Sequence, residues 1–66
     1  MYYVIERQDQ NATDIAENYE GYRTRAEAER ARAEEIRDAV REDIRDGGYS
    51  RRREGYYWYH LIVVEA

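Results

Sequence analysis

Apolar positions along this chain gather at its two ends, with a long, sparsely apolar stretch between them. The first group, Tyr2-Tyr3-Val4-Ile5-Glu6-Arg7, is built from the aromatic and β-branched residues that suit a pleated, half-buried surface, and it predicts a strand. Polar Gln8-Asp9-Gln10-Asn11-Ala12 follows as a turn. A weaker second strand is predicted over Thr13–Tyr19, returning antiparallel with Ile15 and Tyr19 on one face, and Glu20-Gly21 breaks it. The last group, Tyr56-Tyr57-Trp58-Tyr59-His60-Leu61-Ile62-Val63-Val64, is the strongest strand signal. It is apolar on both faces, with Trp58, Ile62 and Val64 on one and Tyr57, Tyr59, Leu61 and Val63 on the other. Doubly apolar strands are usually covered on both sides. One helix covers one side only, so the other face is either covered by loops or exposed and used.

The middle of the chain predicts a single long helix. Thr24-Arg25-Ala26-Glu27 is a capping box, in which the threonine oxygen caps the first turn and the glutamate reaches back. From Arg25 to Asp46 there is neither glycine nor proline, and the good helix formers alanine, glutamate and arginine dominate. Gly47-Gly48 supplies the stop. At 100° per residue Ala26, Ala33, Ile36, Val40 and Ile44 share a stripe, with Ala39 at its margin, and this stripe is expected to face the core. The small alanines leave room for tyrosine rings from the sheet. The fold class that follows is α+β: one long α-helix on a small antiparallel sheet of three to four strands. The order is ββαβ, or ββαββ if Tyr49–Arg52 adds a short strand. No repeat or linker divides the chain, and residues 1–66 read as a single domain.

Composition changes the picture of the core. Leu61, five isoleucines and four valines make up roughly 15% of the chain, below the ~20% at which disorder becomes a serious prior. Eight tyrosines and Trp58 argue for a folded domain with aromatic filling, since disordered chains are poor in aromatics. With no cysteine, neither a disulfide nor a thiolate metal site is available. No apolar run approaches the ~20 residues needed to span a membrane, and Met1-Tyr2-Tyr3-Val4-Ile5 has no basic n-region. The expected location is cytoplasmic.

The candidate chemistry is binding chemistry. His60 is the only histidine and Ser50 the only serine, so a nucleophile–base pair would have to join two residues ten apart with no motif around either. No phosphate loop, calcium loop or second histidine at ligand spacing is present. The expectation is a non-enzyme with no cofactor, no metal and no small-molecule substrate. Two surfaces stand out instead. On the helix, Glu35, Asp38, Glu42 and Asp46 line one flank at spacings of three, four and four, a row of carboxylates about 16 Å long. Arg30, Arg37 and Arg41 line the opposite flank. The row can sit in a basic groove built for a phosphate backbone, or simply be a solvated face laced with pairs such as Glu27–Arg30 and Glu42–Arg45. Beyond the helix, Arg51, Arg52 and Arg53 precede Tyr56, Tyr57, Trp58 and Tyr59. Arginine beside aromatic rings can stack nucleic-acid bases, can anchor a protein interface, or can merely fill a core.

The net charge of −4 leans against general nucleic-acid affinity. A very short, cysteine-free, acidic domain with a charged helix on a small sheet resembles the small inhibitors that phages and mobile elements use against bacterial defence, the anti-CRISPR proteins above all. The resemblance covers the whole chain and rests on size, charge and layout, because those inhibitors share no motif. It implies an inhibitor, acting in a bacterial host cell, that occludes a DNA- or RNA-binding surface with acidic groups in place of phosphates. The expected protein-contact residues are then Glu35, Asp38, Glu42 and Asp46 with Tyr57, Trp58 and Tyr59. Two alternatives stay open: a nucleic-acid-binding module using Arg51, Arg52 and Arg53, or a homo-oligomerisation domain. The protein itself is a monomer or a homodimer on this reading.

Overall fold

The computed structural model describes all 66 residues. Strand β1 (Tyr2–Glu6) leads through a 3-10 turn (Arg7–Asp9) to a short helix α1 (Ile15–Asn18) and a two-residue strand β2 (Gly21–Tyr22). The long helix α2 (Arg25–Asp46) follows, then a second helix α3 (Arg51–His60) that runs directly into strand β3 (Leu61–Glu65). The sheet has the order β2-β1-β3 and both pairings are antiparallel. The long dimension of the molecule, 36 Å, is essentially the length of α2, whose 22 residues span about 33 Å.

Pairing registers assign the two faces of the sheet. Tyr3 lies opposite Val64 and Ile5 opposite Ile62, so these four share a face. Ile15 of α1 and Tyr19 pack on it, completing the cluster around Tyr3, Ile5 and Ile15. The alternate positions, Tyr2, Val4, Leu61 and Val63, face α2. There the Arg25 guanidinium sits 5.2 Å from the centre of the Tyr2 ring, and buried Ile36 adjoins Leu61. Strand β3 is therefore packed on both faces, by α2 and by the segment carrying α1, with its four apolar residues half-buried.

Three expectations require correction. The strand expected over Thr13–Tyr19 is the helix α1, and the returning strand lies one step later at Gly21–Tyr22. Ile15 and Tyr19 are four apart, a spacing that serves one face of a helix as well as one face of a strand. The Asp14 carbonyl accepts from the amides of Glu17 and Asn18, which closes the helical turn. Gly21, read as a breaker, is the pairing partner of Tyr3. A Cβ there would stand 2.9 Å from Met1 Cε and 3.0 Å from Tyr3 Cε1, so the missing side chain admits both.

The second correction is larger. Tyr56–His60 belongs to a helix that starts at Arg51, so neither the fourth strand at Tyr49–Arg52 nor the long final strand forms. Ser50 caps this helix: its hydroxyl oxygen accepts from Arg53 N at 3.1 Å, and its carbonyl from Glu54 N at 3.0 Å. The arginines that follow are good helix formers, and strand geometry begins only where the β-branched run Ile62-Val63-Val64 takes over. The third correction concerns α2. Of the expected stripe, Ile36 is buried and Ala33 and Val40 are half-buried, whereas Ala26 and Ile44 are exposed, Ile44 by 60%. The inward side extends instead to buried Ala28 and half-buried Arg32, Ala39 and Asp43, so the helix is rotated about its axis from the expected orientation, and the two charged residues find partners there.

The core is small. Only Tyr3, Ile5, Ile15, Ala28 and Ile36 are buried, one aromatic ring among them. So little burial leaves the placement of α3 to hydrogen bonds and stacked rings.

Candidate functional site

Helix α3 carries most of the exposed aromatic surface, and two arginines from other elements fix its position. The last carbonyls of a helix have no partner within it and carry the negative end of its dipole. In α3 the Tyr57 carbonyl accepts from the Leu61 amide. The Trp58 carbonyl accepts from Arg32 Nη2 at 2.7 Å, and the Tyr59 carbonyl from Arg7 Nε at 2.9 Å. Arg32 Nε also donates to the Leu61 carbonyl at 2.6 Å, where helix becomes strand. Each guanidinium stacks on a ring of the helix it caps, Arg32 at 4.9 Å from Trp58 and Arg7 at 4.2 Å from Tyr59. A planar guanidinium can donate in its plane while stacking on its face, which an ammonium cannot. That is a structural reason for arginine at these positions.

The other side of α3 is tied to α2. Tyr57 donates its phenolic proton to Asp43 Oδ2 at 2.6 Å and accepts from Arg53 Nε at 3.1 Å. Arg53 Nε lies 3.2 Å from the same Asp43 oxygen. The Tyr57 hydroxyl and the Asp43 carboxylate both hold Arg53 in its charged form and push its pKa further up. Tyr49 reaches Glu54 at 2.7 Å, a hydrogen bond that raises the phenol's pKa.

Between α2 and α3 lies a cleft of about 360 Å³. Buried Ile36 and the small side chain of Ala39 form its floor, with Leu61 at one end. Tyr56, Tyr57 and His60 form its wall, the Tyr56 and His60 rings in contact at 3.8 Å between centroids. Glu6, Gln8 and Glu35 complete the rim. Gln8 donates to Glu6 at 2.8 Å.

The row Glu35, Asp38, Glu42 and Asp46 is exposed along α2 as expected. Asp38 pairs with Arg41 at 3.3 Å and Glu42 with Arg45 at 3.6 Å, while Glu35 and Asp46 form no ion pair. Glu35 is shared between the row and the cleft, and lies close enough to Tyr22 to add to the rise in pKa that burial causes in that phenol. Of the three rings expected as anchors, Tyr57 is half-buried in the Asp43 cluster, Trp58 is 36% exposed and Tyr59 is 59% exposed. Tyr56, which was not among them, is 58% exposed. Arg51, Arg52 and Arg53 occupy the exposed first turn of α3. Arg53 is engaged by Asp43, and neither Arg51 nor Arg52 forms an ion pair.

Several residues central to this arrangement were not singled out as site residues from the sequence: Arg7, Arg32, Asp43 and Glu6, with Ala39 placed only at the margin of the helix stripe. Their roles depend on partners far along the chain, and no local pattern marks them. Ser50 and His60 stand at opposite ends of α3, and the hydroxyl oxygen of Ser50 is occupied by its cap. No three histidine, aspartate or glutamate side chains converge as a metal-holding group. No helix is long and apolar enough to cross a membrane. No known protein family, curated protein or solved structure matches the chain.

Proposed function

We propose that this protein is a small binding protein that docks on a basic, nucleic-acid-handling surface of a larger bacterial complex and occludes it. On this reading it is an inhibitor of a CRISPR-Cas-type defence complex, working in the cytoplasm of the host cell. One observation carries the reading: Glu35, the first carboxylate of the exposed acidic row, also lines the cleft walled by the aromatic residues of α3. The charge that would steer the encounter and the rings that would anchor the complex thus form one continuous surface. Electrostatic complementarity mainly favours on-rate and specificity, whereas aromatic residues in desolvated pockets carry most of the binding energy. The ion pairs on the row join neighbours on one helix turn and are worth only about 0.2–0.5 kcal/mol each, so a basic partner displaces them easily.

The test is capture of tagged protein from a nuclease-treated bacterial lysate, repeated with Glu35, Asp38, Glu42 and Asp46 all changed to alanine. The expected result is recovery of a nucleic-acid-handling complex by the unaltered chain and its loss by the variant, with the helical circular-dichroism signal retained. Equal capture by the variant would rule out the acidic row. Arg51 and Arg52, exposed and without ion pairs, favour a second reading as a nucleic-acid module. It requires salt-sensitive retardation of single strands in a gel shift, and absence of retardation at low salt removes it.

A further inference from the structure

We infer that the cleft between α2 and α3 receives an arginine side chain of the protein on which this chain docks. The docking reading supplies only the partner; the preference for a guanidinium follows from the lining of the cleft.

Three features of the lining select that guest. Its floor is apolar, with Ile36 only 1% exposed, so a bound side chain loses water on entry. Its wall is a held aromatic surface. Tyr56 and His60 support each other at 3.8 Å, and the Tyr57 ring is fixed through its hydrogen bond to Asp43. Glu6 and Glu35 line the same cleft and neither takes part in an ion pair, Glu6 accepting only from Gln8 at 2.8 Å. Although the chain holds eleven arginines, none lines this cleft. Aromatic rings beside carboxylates that have no cation partner are the chemistry that binds a cation by its face and its edge at once.

Arginine meets both demands better than lysine does. The guanidinium is planar and weakly hydrated; it stacks on rings while presenting paired N–H groups to a carboxylate. The chain already uses this geometry twice, where Arg7 and Arg32 stack on Tyr59 and Trp58 while donating in plane. In the cleft the in-plane acceptors are carboxylates where those two arginines use backbone carbonyls, so the same two modes of contact are open to a guest guanidinium. Size limits the guest as well. A volume of 360 Å³ lies at the low end of the roughly 300–1,000 Å³ typical of ligand pockets, which suits one long side chain. Nucleic acid is disfavoured there, because two carboxylates repel a phosphate.

The test uses isotope-labelled protein and small probes followed by amide NMR shifts: N-acetyl-arginine amide, its lysine counterpart, and N-acetyl-citrulline amide, which keeps the shape but not the charge. Saturable shifts centred on Ile36, Ala39, Tyr56 and His60 are expected with arginine, at a dissociation constant on the order of millimolar. Lysine should bind more weakly, and citrulline should leave the amides unmoved. Glu35→Gln should weaken arginine binding about twofold to fivefold, the range expected for an exposed ion pair. Ala39→Leu fills the floor without altering charge and should abolish binding, with the far-ultraviolet circular-dichroism spectrum confirming that the variant is folded. Equal binding of citrulline, shifts centred elsewhere, or arginine affinity unchanged in Glu35→Gln would each overturn the inference. The docking reading is tested apart from the cleft: if N-acetyl-arginine amide fills the cleft yet the unaltered chain captures no complex from the lysate, the cleft stands and the docking reading falls.

Discussion

Removing the Arg32 side chain tests whether polar capping, more than core burial, holds α3 in place. Arg32 donates to the Leu61 and Trp58 carbonyls at 2.6 and 2.7 Å and stacks on the Trp58 ring, and its side chain is only 20% exposed. Hydrogen bonds from a charged donor contribute roughly 1.5–3 kcal/mol each. The Trp58 carbonyl is near solvent and would recover part of its share from water, so about 2–4 kcal/mol is the expected loss in Arg32→Ala, the stacking included. At 0.05–0.15 kcal/mol per residue, a chain of this size has a total stability of about 3–10 kcal/mol. The variant should therefore lose a fifth of its stability or more. Urea denaturation followed by Trp58 fluorescence reads this directly. With a slope near 1 kcal/mol per molar, the midpoint should fall by about 2 M or more. Arg32→Lys separates charge from geometry, since it keeps the cation but cannot serve both carbonyls and the ring. It should lose about half as much. A change below about 0.5 kcal/mol in Arg32→Ala, well under the range for even one charged hydrogen bond, would refute the argument. So would full replacement by lysine.

Two further outcomes follow from the same contacts. In Tyr57→Phe the Asp43 carboxylate, 13% exposed at its side chain, loses a 2.6 Å hydrogen bond and keeps only Arg53; urea denaturation should show a loss of about 1–3 kcal/mol. A neutral result would mean that Arg53 alone satisfies Asp43. Stability should also decline in strong base. The pKa of Tyr19 is raised, first by its hydrogen bond to Asp9 and then by burial, and that of Tyr22 by burial and neighbouring glutamates. A phenol whose folded pKa exceeds the unfolded value near 10 gives its full contribution below that pH and loses it as pH rises through the folded pKa. In an ultraviolet titration Tyr19, Tyr22 and Tyr49, assigned by phenylalanine replacement one at a time, should ionise above the free-phenol value near 10, with unfolding free energy falling above about pH 10. Ionisation of these three at the free-phenol value with flat stability would contradict this.

The parts of the fold that were legible in the sequence are those whose determinants are local. Helix α2 runs from Arg25 to Asp46 as expected, with Thr24 Oγ1 accepting from Glu27 N at 3.1 Å and Gly47 closing it at φ 78°. Strand β1 followed from its β-branched and aromatic run. Helix α3 did not, although one signal was present: Ser50 ahead of three arginines and Glu54 is a plausible N-cap. The run of tyrosines was read as strand instead, and aromatic strand propensity reflects packing on a pleated surface more than any backbone preference. In the folded chain the rings pack along a helix, as the Tyr56–His60 stack shows. The rotation of α2 was hidden for a related reason. Arg32 and Asp43 count as surface residues in any hydrophobic pattern, yet their partners, Leu61, Trp58, Tyr57 and Arg53, lie far along the chain. Half of the candidate site was legible, since the acidic row needs only helical spacing. The cleft was not, because its lining comes from five separate elements: β1, the 3-10 turn, α2, α3 and β3.

The arginines that seem to offset the acidic row are distributed so that they scarcely do so. Arg7, Arg25 and Arg32 are stacked on Tyr59, Tyr2 and Trp58, and Arg53 is held by Asp43 and Tyr57. These four cations do internal structural work that aliphatic residues perform in chains with a larger core. Arg41 and Arg45 neutralise Asp38 and Glu42, but through exposed pairs on a single helix, the kind that a more basic surface or moderate salt displaces at little cost. Glu6, Glu35 and Asp46 need no displacement at all. The cleft and the adjoining flank of α2 can therefore present negative potential to a partner even though eleven arginines stand against fifteen acids. Replacing any of these four engaged arginines by lysine would conserve net charge while loosening the contacts to the aromatic rings, which is why the composition couples the fold of α3 to the surface it builds.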